Sequence, residues 1–151
     1  MKIKIRKATS NDVDVLFDLI TKIAEYHGQG QYIATNKEKL QDAGFGASPK
    51  YQALIAEINE TPIGFLSYTW NYSIWSGAEF MNLDDLFVLE SFRGQKVGWH
   101  LMQYAKSICQ EMGVELIRWE VEKDNARAIE FYRDLGVDIN IKGIFRWKLN
   151  S

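Results

Sequence analysis

Cysteine and histidine are scarce in this 151-residue chain: one cysteine, Cys109, and two histidines, His27 and His100. A single cysteine excludes an internal disulfide. Three such residues, scattered, offer no metal-ligand spacing, so no metal is expected. An excess of positive charge is also missing. Eighteen basic residues stand against twenty acidic ones, a formal charge of −2, which argues against a surface built to neutralise nucleic-acid phosphates. No apolar run reaches the roughly 18 residues of a membrane span. The opening MKIKIRKA lacks the apolar stretch of a secretory signal. The expectation is a cytoplasmic chain that binds neither nucleic acid nor membrane.

What is present is ordinary globular material, 46% hydrophobic and 25% charged, enough for one domain over residues 1–151 with a buried core. No repeat, low-complexity segment or linker interrupts it. Lys2–Lys7 alternates as a half-exposed strand does. Thr9 to Asp12 has capping spacing, and a helix from about Asn11 to Tyr26 turns Val13, Leu16, Phe17, Ile20, Ile23 and Ala24 to one side. A short helix is expected from Asn36 to about Ala43. Tyr51–Ile58 and Ile63–Trp70 read as strands joined by Asn59-Glu60-Thr61-Pro62, a turn composition. An aromatic connection from Asn71 to Ala78 leads to a strand that begins near Glu79 and ends at Leu89. Val114–Val121, Val137–Ile141 and Ile144–Leu149 are further strand candidates, and Ala126–Leu135 a helix capped by Asp124-Asn125 and stopped by Gly136.

The chain is organised around Leu83–Leu101, LDDLFVLESFRGQKVGWHL. A largely apolar strand feeds the glycine-bearing loop Arg93-Gly94-Gln95-Lys96-Val97-Gly98, which opens a helix with Val97, Leu101, Met102, Ala105 and Ile108 at three- and four-residue spacing. The free amides and dipole of a helix start make an anion site. The loop is neither GxxxxGK[ST] nor GxGxxG, since Gly94 and Gly98 stand four apart. Asp84 and Asp85 interrupt the strand. Successive residues of a regular strand face opposite sides, so one of the two is expected to point toward the core side.

Arg93–Gly98 resembles the [QR]-x-x-G-x-[GA] pyrophosphate loop of the GNAT superfamily of acetyl-CoA-dependent N-acetyltransferases, with Lys96 at the usual central glycine. Ile20–Tyr26, Leu40–Gly46, Leu54–Glu57 with Gly64-Phe65, and Asn125–Gly136 extend the resemblance over nearly the whole chain. They place it nearest the diamine (spermidine/spermine) N-acetyltransferases. The resemblance implies an α/β (α+β) GNAT fold, a mostly antiparallel sheet flanked by helices with one parallel strand–helix–strand crossover. It implies acetyl-CoA as cofactor, held by Leu86, Phe87 and Val88 along the pantetheine arm, by Arg93, Gly94, Gln95, Lys96, Val97 and Gly98 at the pyrophosphate, and by Asn125. Tyr132 matches the tyrosine that protonates the departing thiolate. Asp84 falls where a glutamate is proposed as base, and Asp85 matches the neighbouring aspartate. A homodimer is implied as well.

An aliphatic ammonium is neutral only about one part in 2,500 at pH 7, a penalty of roughly 4.6 kcal/mol. A carboxylate that takes its proton relieves this penalty. The acceptor site is expected to include Tyr26, His27, Trp75, Asp84 and Asp85. The diamine pattern is incomplete. His27 stands where that branch is acidic, Ser73 where it carries aspartate, and no tryptophan follows Gly143. A small primary amine with fewer positive charges is therefore the expected substrate: a diamine, a polyamine, an amino acid analogue or an aminoglycoside-like compound. The alternatives are a protein lysine or N-terminal acetyltransferase and a non-catalytic acetyl-CoA-binding module.

Overall fold

The structure, a computed structural model, describes residues 2–26, 28 and 33–149. The chain divides into two compact units, Met1–Trp119 and Glu120–Ser151.

In the first unit, β1 (Ile3–Lys7) leads through a 3-10 turn at Ser10–Asp12 into α1 (Val13–Tyr26). The start is a capping box. The Thr9 amide donates to Asp12 Oδ2 at 2.7 Å, and the Asn11 amide donates to Thr9 Oγ1 at 3.3 Å. Next come α2 (Lys37–Gly44), β2 (Gln52–Ile58), β3 (Thr61–Ser73), β4 (Ala78–Val88), α3 (Val97–Met112) and β5 (Ile117–Arg118). Asn36 caps α2 by accepting from the Lys39 amide at 2.8 Å. The sheet runs β1-β2-β3-β4-β5. It is antiparallel except for the parallel β4–β5 pair, which α3 connects as the expected crossover.

Helices cover both faces of this sheet. On one, Val13, Leu16 and Leu19 of α1 pack with Leu40 of α2 against Ala53, Ile55, Phe65 and Phe87. On the other, Tyr68 and Met81 meet α3, where Cys109 Sγ lies 3.9 Å from Met81 Sδ. Leu54, Leu66 and Leu101 have no exposed surface, and each such side chain contributes about 1.5–3 kcal/mol. The spacing of α3 buries Val97, Leu101, Met102, Ala105 and Ile108 as read from the sequence, together with Cys109.

Pairing moved several strand boundaries. Ile58 pairs with Thr61, so the β2–β3 turn shrinks to Asn59-Glu60, both at positive φ as a tight hairpin turn requires. Pro62 sits inside β3 at a bulge, a position that proline tolerates. Half of the expected connection Asn71–Ala78 is strand, since β3 continues to Ser73, β4 starts at Ala78, and residues 74–77 turn. β5 keeps only Ile117 and Arg118, paired with Met81 and Asn82. β4 bulges just beyond that point, and a bulge bends its strand away from a neighbour.

The second unit contains α4 (Ala126–Arg133), capped by Asn125 Oδ1 accepting from the Ala128 amide at 3.1 Å. Gly136 follows at φ 82°. The strands expected at 137–141 and 144–149 do not form. Ile141, Phe145, Trp147 and Leu149 are exposed. An alternating pattern supplies strand propensity, but a strand exists only when a second strand completes its ladder, and among the described residues none pairs with 137–149.

Candidate functional site

The site begins with a register shift. Ser67 pairs with Asp85 and Tyr68 with Leu83, so Asp84 is the extra residue of a β-bulge, opposite nothing on β3. Residues directly opposite share a face of the sheet. Asp85 therefore lies with Ser67, and Ser67 Oγ donates to Asp85 Oδ2 at 2.7 Å. Asn82 pairs with Thr69 on that same face, and Asn82 Nδ2 donates to Asp84 Oδ1 at 2.8 Å. Both carboxylates thus occupy the α1 side of the sheet. This corrects the expectation that adjacent aspartates point to opposite sides, because the bulge cancels the strand's alternation. Partial burial pushes the Asp84 carboxyl up from its ordinary pKa; bonds from Asn82 and Thr69 pull it back, and the charge of Asp85 adds to the rise.

Beyond the bulge, no strand among the described residues pairs β4 on its β5 side, because β5 pairs only Met81 and Asn82. Leu86, Phe87 and Val88 follow on this open edge. On the other side Gly64 allows close approach, since a Cβ there would stand 2.6 Å from the Phe87 carbonyl oxygen.

The chain then reaches the loop through a 3-10 turn at Glu90–Phe92. α3 starts at Val97, four residues after Arg93, so the Arg93 guanidinium does not sit on the first helical turn. Arg93 Nε donates to the Val88 carbonyl at 3.1 Å, and the guanidinium lies 4.4 Å from the centre of the Tyr26 ring. Gly94 has φ 79° and Lys96, the N-cap of α3, has φ 66°. Lys96 stands at the central glycine of the resembling pattern and holds a left-handed conformation that glycine adopts without strain. Among the described residues no side chain caps α3, which leaves the Val97 and Gly98 amides for an anion. The Gln95 side-chain oxygen is buried without a partner. An uncapped helix start with free amides and an open strand edge fit a long phosphorylated cofactor.

Trp75 is fully exposed in the β3–β4 turn. Seven residue steps along β4 separate Ala78 from Asp85, so Trp75 stands more than roughly 20 Å away along the strands. Tyr26 closes α1 and is exposed. His27 lies outside the described residues. In the second unit, Asn125 and Tyr132 are two turns apart on α4, burial raises the Tyr132 phenol pKa, and its ring meets Phe131 edge-on at 5.2 Å. Sequence reasoning missed Ser67, Thr69 and Asn82. Their partners follow from the β3–β4 register, for which the sequence carries one faint signal, the three-residue step between Leu83 and Leu86.

Among the described residues no cluster of three His, Cys, Asp or Glu could hold a metal, and no helix is long and apolar enough to cross a membrane.

Two carboxylates thus stand beside the open edge of β4, and the free amides at the start of α3 follow a few residues later. The family model described as acetyltransferase (GNAT) family matches residues 16–137, and the chain belongs to that family. It is an N-acetyltransferase whose acetyl donor is acetyl-CoA. It is 30% identical over 142 residues to a thialysine N-epsilon-acetyltransferase of Bos taurus, covering 89% of this chain and 83% of that one. It is 24% identical to a human spermidine/spermine N(1)-acetyltransferase-like protein 1, over 88% of this chain and 20% of that protein. An aminoglycoside acetyltransferase from an uncultured soil metagenomic sample, solved with trehalose, shares the fold. Its TM-score is 0.85 at 18% identity, over 99% of this chain and 97% of that one.

Proposed function

We propose that this enzyme acetylates a primary amine on a small molecule of low positive charge, an amino acid analogue with a side-chain amine or a diamine. The observation that carries the reading is the pair Asp84 and Asp85, turned to one face by the bulge where β4 loses its partner. Two carboxylates there attract one ammonium and offset the cost of its desolvation. Asp84 takes the proton, directly or through water, and its raised pKa makes it a better base than an ordinary aspartate. Asp85, held by Ser67, helps draw the amine in. The similarity to thialysine N-epsilon-acetyltransferases supports an amino acid analogue among the possible acceptors.

Acetyl-CoA brings the activated acetyl thioester. For this chain we assign the Arg93–Gly98 loop to its pyrophosphate, with the Val97 and Gly98 amides as donors. The backbone of Leu86, Phe87 and Val88 is assigned to the pantetheine arm, and Asn125 adds a contact. A strand amide near Phe87 or Val88 donates to the carbonyl oxygen as charge develops there. Tyr132 is the acid for the departing sulfur. Burial keeps its hydroxyl protonated at neutral pH, so a proton is present when the thiolate leaves. Transfer is direct, with no acylated residue. Tyr26 and His27 are proposed to complete the acceptor side, from which Trp75 stands too far along the strands to join them, and residues 1–151 to act as one domain. A cytoplasmic homodimer fits the exposed Tyr72, Ile74 and Trp75.

The test is thiol release from acetyl-CoA against a panel of amines, with Tyr132→Phe and Asp84→Asn in parallel. Turnover of a small amine that each variant lowers by roughly 10² or more is expected. Acetyl-CoA binding with no turnover of any small amine would redirect the search to protein lysines and N-termini and would remove Asp84 from its role.

A further inference from the structure

A bulged residue has no ladder partner of its own, so its side chain is placed by something else. For Asp84 that is the face around it. Asn82 is the last β4 residue paired on both sides, with Thr69 of β3 and Arg118 of β5. Its backbone is therefore fixed immediately before the strand opens, and its amide reaches Asp84 Oδ1 at 2.8 Å. A side chain held at the end of a closed ladder is a firm anchor for one that sits where the ladder has lapsed.

We propose that Asn82 is a positioning residue of this acetyltransferase, holding the Asp84 carboxylate aimed and charged for the acceptor amine. The inference rests on the reading of Asp84 as the base. Asn82 Nδ2–H donates to a carboxylate, a bond that favours the ionised form. Thr69 adds a second such bond, while the charge of Asp85 works against them. Arg118 flanks Asn82 on β5. The helix over this face, α1, commits its Asp14 to Lys37 and pairs Asp18 with Lys22, all exposed. The local balance thus falls to Asn82, Thr69 and Asp85. Without Asn82 the carboxyl holds its proton to higher pH and loses its orientation.

The experiment follows the Asp84 side-chain carboxyl by carbon-13 NMR through a pH titration, assigned with Asp84→Asn, in wild type, Asn82→Leu and Asn82→Gln. Asn82→Leu keeps the size and removes the donor, and Asn82→Gln keeps an amide. In Asn82→Leu the Asp84 titration is expected to move to higher pH. The acidic limb of kcat should move with it, so that Asn82→Leu loses more activity on the acidic side of the profile than at pH 9. Asn82→Gln should recover part of both shifts, and melting temperatures should not follow either. An unmoved titration overturns the proposal, as does an activity loss equal at every pH. If Asp84→Asn keeps the acidic limb, the reading of Asp84 as base fails separately, and the NMR midpoint alone then decides whether Asn82 holds the carboxylate.

Discussion

The guanidinium of Arg93 stacks on the ring of Tyr26, 4.4 Å from its centre, while its Nε holds the Val88 carbonyl at 3.1 Å. One side chain thereby ties the end of α1, the end of β4 and the loop before α3 together. A guanidinium so engaged works as a strut, and the anion attraction of the loop falls to the backbone amides and to Lys96.

Tyr26→Phe keeps the ring face and should leave acetyl-CoA affinity within about twofold. Tyr26→Leu forfeits a cation–π contact of roughly 0.5–1 kcal/mol and should weaken acetyl-CoA binding about three- to fivefold. Arg93→Lys loses both the planar stack and the Nε bond and should weaken it more. Calorimetric titration with acetyl-CoA measures all three. Equal affinities for the Phe and Leu variants would mean that the ring does not support the loop.

Lys96 holds φ 66°, a left-handed conformation that costs a residue with a β-carbon about 1–2 kcal/mol. Lys96→Gly should therefore raise the melting temperature by a few degrees. Its loss of acetyl-CoA affinity should be visible at low ionic strength and fade at physiological salt, where exposed charges are screened beyond about 8 Å. A less stable variant would show that the lysine side chain carries packing that outweighs the strain.

Arg6 grips Asp12 with two bonds, at 2.7 and 2.8 Å, and reaches Glu57 at 3.2 Å. The Arg6 bond holds the Asp12 carboxyl below its usual range, against the opposing effect of burial. A carboxyl that binds its proton less tightly folded than unfolded contributes stability above the unfolded pKa, near 3.9. That contribution is lost as pH falls through the folded value. Asp12→Asn should cost about 2 kcal/mol at pH 7 and flatten the decline in urea midpoint between pH 5 and 3. A variant with the same acid slope as wild type would assign the acid sensitivity to other groups.

Helix positions were legible in advance because their signals are local. Thr9 with Asp12, Asn36 and Asn125 cap helices through bonds within three residues, and the spacing of Val97, Leu101, Met102, Ala105 and Ile108 needs only a period of 3.6. The loop Arg93–Gly98 was legible for the same reason, with Lys96 marked as a departure from the pattern's glycine, while its positive φ came only from the structure. Strand lengths were not, because they are set by a partner. Thr61 and Pro62 became strand because Ile58 and Glu57 stood opposite them. Residues 137–149 carry strand propensity and no ladder.

The sequence by itself determined that Asp84 and Asp85 would interrupt an apolar strand just ahead of an anion-binding helix start. Only the tertiary structure decided that both carboxylates face α1, that Ser67 holds one and Asn82 the other, and that β5 leaves β4 at Asn82. Those outcomes follow from the register between β3 and β4, which here pairs residues more than ten positions apart, Thr69 with Asn82 and Ser67 with Asp85. No local preference encodes a bulge of one residue.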